Sequence, residues 1–134
     1  MAKSSFIRID FGPLPHELVN DTLGYELEPG EVGMSANAQR HALDRHQDEF
    51  WDCRPHIADI LARPLYLGDD FRNSGKIEFV GRPASLGTPL LIAVVITPDA
   101  HGRYNIASFY PVSDAKVQSR KEKGFLKIAR RKKL

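Results

Sequence analysis

The chain has 134 residues, of which 42% are hydrophobic and 27% are charged. That length suits one domain with a buried core, and that composition is ordinary for a soluble globular protein. The longest apolar run, residues 90–96, is far too short to cross a bilayer. Because residues 1–10 lack a signal-peptide pattern and the lone Cys53 cannot form an internal disulfide, we expect a cytoplasmic protein without a membrane partner.

Positive charge is concentrated near the C-terminus. Residues 116–134 hold nine Lys or Arg and one acid, which makes +8, so a net charge of +2 leaves −6 for the remaining chain. This asymmetry is typical of a polyanion-binding end on a mildly acidic body. For the basic tail at 130–134, a merely solvated segment is an equally good interpretation.

Residues 1–34 are punctuated by Pro and Gly and are treated as an N-terminal extension. Within it, the alternation at 5–11 predicts a short strand and the pattern at 14–23 predicts a short helix. Residues 24–33 indicate turn and loop. The extension precedes a predicted domain at 35–129, which the tail at 130–134 follows.

Two helices are predicted at the start of this domain. Ser35 is a suitable N-cap for a helix that runs to about Asp52. Pro55 suits the first turn of the second helix, which ends near Ala62 because Pro64 cannot continue it. Residues 63–75 then form a predicted connection.

Three strands follow at 76–81, 90–96 and 104–112, and the turns between them are short enough for an antiparallel meander. Ser113 is expected to cap a basic helix that Gly124 ends, and residues 125–129 predict a last edge strand. Helices followed by strands predict an α+β fold, with N-terminal helices packed on a four-stranded antiparallel sheet.

Two histidines of the first helix are candidates for proton transfer, since histidine titrates near neutral pH. His46 falls within the apolar sector of the helix, which fits either a packed core histidine or a group that points toward the sheet. His41 falls on the polar side beside Arg45, where it could simply face solvent. A zinc pair is disfavoured because a five-residue offset splays the two rings by about 140°, and we expect neither a metal nor a cofactor.

The last strand and the helix after it carry further polar groups. A period of two places Tyr104, Ile106, Ser108 and Tyr110 on one face, so two hydroxyls precede the basic helix. An ordinary half-polar strand face would look the same. In the helix, the cations at 116, 120 and 123 project from one side.

These residue types suit the cleavage of RNA without a metal. That reaction needs a base for the 2′-hydroxyl, an acid for the leaving 5′-oxygen and cations for the phosphate. A planar guanidinium can donate two hydrogen bonds to a phosphate. The sequence contains no GxSxG elbow, no Walker loop and no carboxylate cluster suited to magnesium.

The order of several motifs resembles the phage-type branch of the BECR nucleases, the superfamily of barnase-like, EndoU-like, colicin-like and RelE-like ribonucleases. The resemblance covers about residues 35–126. It is carried by the following segments in order: SANAQRHALDRH, HIADILARPLYLG, GKIEFV, LLIAVVI, YNIASFYPVS and KVQSRKEKGFL.

The resemblance implies a metal-independent endoribonuclease of phage or toxin type that acts on cellular RNA. The partners that the resemblance implies are RNA, as the substrate, and an antitoxin or immunity protein. The implied catalytic residues are His46, His41, Ser108, Tyr110 and Arg120. The implied phosphate-binding residues are Arg45, Lys116, Lys121 and Lys123. A non-catalytic nucleic-acid-binding module and a phage structural protein remain as alternatives.

Overall fold

Seven β-strands form one sheet in the computed structural model of the chain, which describes residues 6–45, 47–69 and 75–129. The order across the sheet is β1-β2-β6-β5-β4-β3-β7. The parallel pair is β2 with β6, and the other neighbours are antiparallel. In chain order the strands are β1 (Ile9–Pro13), β2 (Glu31–Met34), β3 (Tyr66–Asp69), β4 (Lys76–Gly81), β5 (Leu90–Val95), β6 (Tyr104–Pro111) and β7 (Leu126–Ile128).

The predicted α+β class is confirmed, but the prediction of a four-stranded antiparallel sheet is wrong. Strand β2 lies where turn and loop were predicted, and β3 lies within the predicted connection at 63–75. Each has only four residues, and Gly33 or Gly68 stands in its interior, so the alternation that indicates a strand is short and weak. The predicted edge strand is present as β7, which pairs with β3.

Residues 1–34 are predicted to be an extension, and their described part contributes to the common sheet. Strand β1 pairs with β2, and β2 pairs with β6 through two residue pairs, Val32 with Tyr104 and Gly33 with Asn105. The last five residues of the chain, the predicted tail, lie outside the described residues.

Six short helical segments accompany the sheet within the described ranges. They are α1 (His16–Leu23), α2 (Ala36–Arg45), α3 (Gln47–Cys53), a 3-10 turn (Arg54–His56), α4 (Ile57–Ala62) and α5 (Asp114–Glu122). The predicted cap at Ser35 is confirmed, because its Oγ accepts a hydrogen bond from the backbone N–H of Ala38 at 3.1 Å. The single helix predicted to Asp52 is described as α2 and α3, and His46 between them lies outside the described residues.

No helix in the part of the chain that the structure describes is long and apolar enough to span a membrane.

The two faces of the sheet bury different cores. The larger core includes Val19 of α1, Phe50 of α3 and Ile57 of α4. The smaller core lies under α5 and contains Val117 of that helix with Val80 of β4. Helix α5 therefore packs on the sheet face opposite to α1, α3 and α4.

A β-bulge at Ala107 changes which side chains of β6 share a face. Ala93 pairs with Ser108 but Val94 pairs with Ile106, so Ala107 is an extra residue in β6. Tyr104 and Ile106 lie in the larger core, whereas Tyr110 packs against the smaller one. The prediction that these three residues and Ser108 share one face is therefore wrong, because a bulge shifts the two-residue period by one.

Candidate functional site

A pocket of about 280 Å³ lies between α2 and the second half of β6. Its polar side chains come from three separate parts of the chain: α2, the start of β4, and β6. The residues that line it are His41, Ala42, Arg45, Lys76, Ala107, Ser108, Phe109 and Tyr110.

The pocket exists because β2 is short. After the pair between Gly33 and Asn105, the chain leaves the sheet, and Ser35 caps α2. From that point, the edge of β6 faces a helix rather than another strand. His41 and Arg45 are four residues apart, so they project from the same side of α2 toward this edge.

The bulge supplies the opposite wall. Ser108 pairs with Ala93 and Tyr110 pairs with Leu91, and both partners belong to the smaller core. Ser108 and Tyr110 therefore lie on the face that carries α5. Lys76 lies on the same face because it is two residues from Glu78 and four from Val80 along β4, and Val80 belongs to the smaller core. A bulge beside a pocket is a common way to re-aim side chains.

The electrostatics of the pocket favour an anion. No carboxylate side chain is among its lining residues in the described part of the chain. Within the same ranges, no ion pair joins Arg45 or Lys76 to an acid. Two cations, an imidazole and the Ser108 hydroxyl can together donate hydrogen bonds to a phosphate, and imidazole is a common proton-transfer group in catalysis.

The other predicted site residues lie on α5, outside this pocket. Ser113 caps the helix by accepting from the backbone N–H of Lys116 at 3.1 Å, as predicted. Arg120 Nη1 donates to Glu78 Oε1, and the Glu78 side chain is only 5% exposed. The charge of Arg120 is therefore directed at a buried carboxylate.

Lys121 is held on the opposite flank of α5. Its ammonium lies 4.7 Å from the centre of the Tyr66 ring and donates to the Tyr66 hydroxyl at 3.2 Å. It lines a second groove of about 420 Å³ together with Val80 and Gln118. Lys116 and Lys123 are exposed.

Two residues near the site were absent from the sequence prediction. Lys76 and Glu78 belong to a strand that was predicted, and their charges interrupt an otherwise apolar pattern. The acid within an apolar strand was the signal that could have indicated a role for Glu78, since a buried acid is uncommon unless it is paired. Lys76 reaches the pocket beside residues of α2 and β6, and Glu78 pairs with Arg120. All of these residues are distant in sequence, so the residue pattern of β4 alone does not identify either role.

The described residues offer little to a metal ion or a thiol mechanism. No group of three or more His, Cys, Asp or Glu within these ranges is placed to hold a metal. Burial raises the pKa of the Cys53 thiol to about 11, and the charges of Glu49 and Asp52 raise it further. A thiol with such a pKa is a poor nucleophile at neutral pH.

Comparison with known proteins found no matching family model, no matching curated protein and no matching solved structure. The resemblance to BECR nucleases therefore stays a prediction.

Proposed function

We propose that the chain is a metal-independent endoribonuclease of the BECR type, and that the pocket between α2 and β6 is its active site. The observation that carries this proposal is the convergence of His41, Arg45, Lys76 and Ser108 on one small pocket. A proton-transfer group and cations around a single phosphate are the parts that RNA cleavage requires.

In this mechanism, His41 removes the proton from the ribose 2′-hydroxyl. The 2′-oxygen forms a bond to phosphorus while the bond from phosphorus to the 5′-oxygen breaks, and the leaving oxygen takes up a proton. Arg45 and Lys76 stabilise the negative charge on the non-bridging oxygens. The products are a 2′,3′-cyclic phosphate and a 5′-hydroxyl end. The second predicted histidine, His46, stays a candidate for the proton donor.

The activity can be tested with end-labelled single-stranded RNA in the presence of EDTA. We expect fragments with 2′,3′-cyclic phosphate ends, and no cleavage of an oligonucleotide whose 2′-hydroxyls are replaced by hydrogen. Absence of any cleavage of RNA across pH 5–9 and a range of salt concentrations would overturn the proposal.

A histidine variant separates catalysis from binding. Replacing His41 by Ala is expected to lower kcat by about 100-fold or more, the usual contribution of a general base, while RNA affinity changes little. His101→Ala is the matched control, because His101 is exposed in a turn and does not line the pocket. A wild-type protein that binds RNA through the same cations without turnover would instead be a non-catalytic nucleic-acid-binding module.

A further inference from the structure

Helix α5 presents different cations on its two flanks. Val117 is buried against the sheet. At about 100° per residue, residues 116, 120 and 123 lie on one side of Val117, and residues 114, 118 and 121 lie on the other. The contacts agree with this division, because Arg120 binds Glu78 whereas Lys121 lies over Tyr66.

The flank that carries Arg120 faces the half of the sheet where the pocket lies. Glu78, the partner of Arg120, and Lys76, which lines the pocket, are two residues apart on one face of β4. Their Cα atoms are therefore about 6.6 Å apart. The opposite flank borders the second groove, at the other end of β4 near Gly81.

The charges on this flank differ in how they are held. Arg120 is directed at a buried acid, so it anchors the flank to β4. Lys116 and Lys123 are exposed, and no ion pair within the described ranges joins either of them to an acid. Seven residues of helix separate them by about 10.5 Å, so they suit two different phosphates.

We propose that Lys116 and Lys123 form a phosphate-binding subsite separate from the pocket, and that the substrate is a single-stranded oligonucleotide that extends beyond the dinucleotide at the pocket. This inference rests on the proposed function. The strand passes from Lys76 over the Glu78–Arg120 pair to the exposed lysines of α5. Lys121, on the other flank, does not contact the strand.

The test compares two double variants of the full chain. Lys116→Ala/Lys123→Ala removes the proposed subsite, and Lys121→Ala/Lys127→Ala removes two charges elsewhere, one on the other flank of α5 and one exposed on β7. Affinity for a non-cleavable 2′-deoxy decanucleotide is measured against KCl concentration. Removing one phosphate contact should lower the slope of log K against log salt by about 0.7, so the slope of the subsite variant should fall by about 1.4.

Turnover gives an independent measurement. The subsite variant should raise KM for a decanucleotide but leave cleavage of a dinucleoside monophosphate unchanged. An equal slope change in the control variant, or an equal loss of activity on the dinucleotide, would overturn the subsite. If the wild type cleaves neither substrate and the slope still changes only in the subsite variant, the ribonuclease proposal fails and the subsite stands.

Discussion

At the scale of single residues, the ion pair between Glu78 and Arg120 differs from the pairs at the surface. Its carboxylate is 5% exposed, whereas Arg82 and Asp114 form a pair whose side chains are 50% and 62% exposed. Removing one partner of a buried pair takes away a charge that offsets the desolvation of the other partner. An exposed pair contributes little to stability, because water and salt screen it.

We therefore expect Arg120→Ala to lower the free energy of unfolding by about 3 kcal/mol, the cost of breaking a buried pair from one side. Arg82→Ala should cost at most about 1 kcal/mol. Urea denaturation followed by circular dichroism measures both. Equal losses of stability in the two variants would show that the Glu78 carboxylate does not depend on Arg120 for its stabilisation.

Asp99 stabilises the turn before β6 in a pH-dependent manner. It accepts hydrogen bonds from the backbone N–H groups of Arg103 at 3.0 Å and His101 at 2.9 Å, and from the Asn105 amide at 3.3 Å. These donors, with the Arg103 backbone contributing most, hold the pKa of Asp99 well below its usual range, although desolvation opposes them. The folded pKa thus lies below the unfolded value of about 3.9.

A carboxylate with a lowered pKa stabilises the fold above its unfolded pKa, and this stabilisation is lost as the pH falls through the folded pKa. We expect Asp99→Asn to lower the free energy of unfolding at pH 7. The difference from wild type should shrink as the pH is lowered below about 4. Urea titrations at several pH values measure it, with the exposed Asp44→Asn as control. A difference that does not vary with pH would contradict this linkage.

At the scale of elements, the ends of helices could be predicted from residues close in sequence. Features that depend on contacts between distant residues were missed. Ser35 and Ser113 act as caps as expected. Gly124 adopts a φ of 79°, and the N–H of Phe125 bonds the carbonyl of Arg120, as in a Schellman motif. Such interactions join residues only a few positions apart, so the local sequence pattern is enough to predict them. The bulge at Ala107 depends on the register between β5 and β6, which no local pattern encodes.

The packing of α4 on β4 leaves no room at Gly81. A Cβ at Gly81 would lie 2.6 Å from Cγ1 of Ile60 and 3.1 Å from its Cδ1 and Cγ2, and Ile60 is buried. We expect Gly81→Ala to destabilise the fold by about 1–3 kcal/mol through overpacking. Ile60→Ala alone should cost about 2–5 kcal/mol.

The double variant tests whether the two effects share one contact. The stability loss in Gly81→Ala/Ile60→Ala should be smaller than the sum of the two single losses, because the truncated side chain leaves room for the new methyl group. Thermal or urea unfolding of the three variants measures this coupling. Strict additivity would mean that the strain at Gly81 comes from the backbone rather than from Ile60.

At the scale of the whole molecule, the site joins segments that the sequence separates by tens of residues. His41 and Arg45 could be placed together because a four-residue spacing fixes their relation on a helix. Lys76 could not be added, since it reaches the pocket only through the pairing of β4 with β5 and β5 with β6. Likewise, the sheet order depends on the parallel pairing of β2 with β6, which rests on two residue pairs.

The uneven charge of the chain gives a prediction for the molecule as a whole. Deleting residues 130–134 removes four cations, so the net charge falls from +2 by four, to −2. The backbone N–H of Ala129 still bonds the carbonyl of Leu65 at 3.1 Å, which keeps β7 paired with β3. Since the described contacts of β7 do not depend on residues 130–134, we expect the free energy of unfolding to change by less than about 0.5 kcal/mol.

Binding should respond differently from folding. The truncated chain should bind single-stranded RNA of any sequence more weakly, and the slope of log K against log salt should fall by about 0.7 for every phosphate that the tail neutralises. The cleavage of a dinucleoside monophosphate that the proposed function predicts should not change, because the truncation leaves the pocket residues in place. Fluorescence anisotropy with labelled RNA at several KCl concentrations measures the slope. An unchanged slope would show that the tail is solvated and that the body of the molecule neutralises all the bound phosphates.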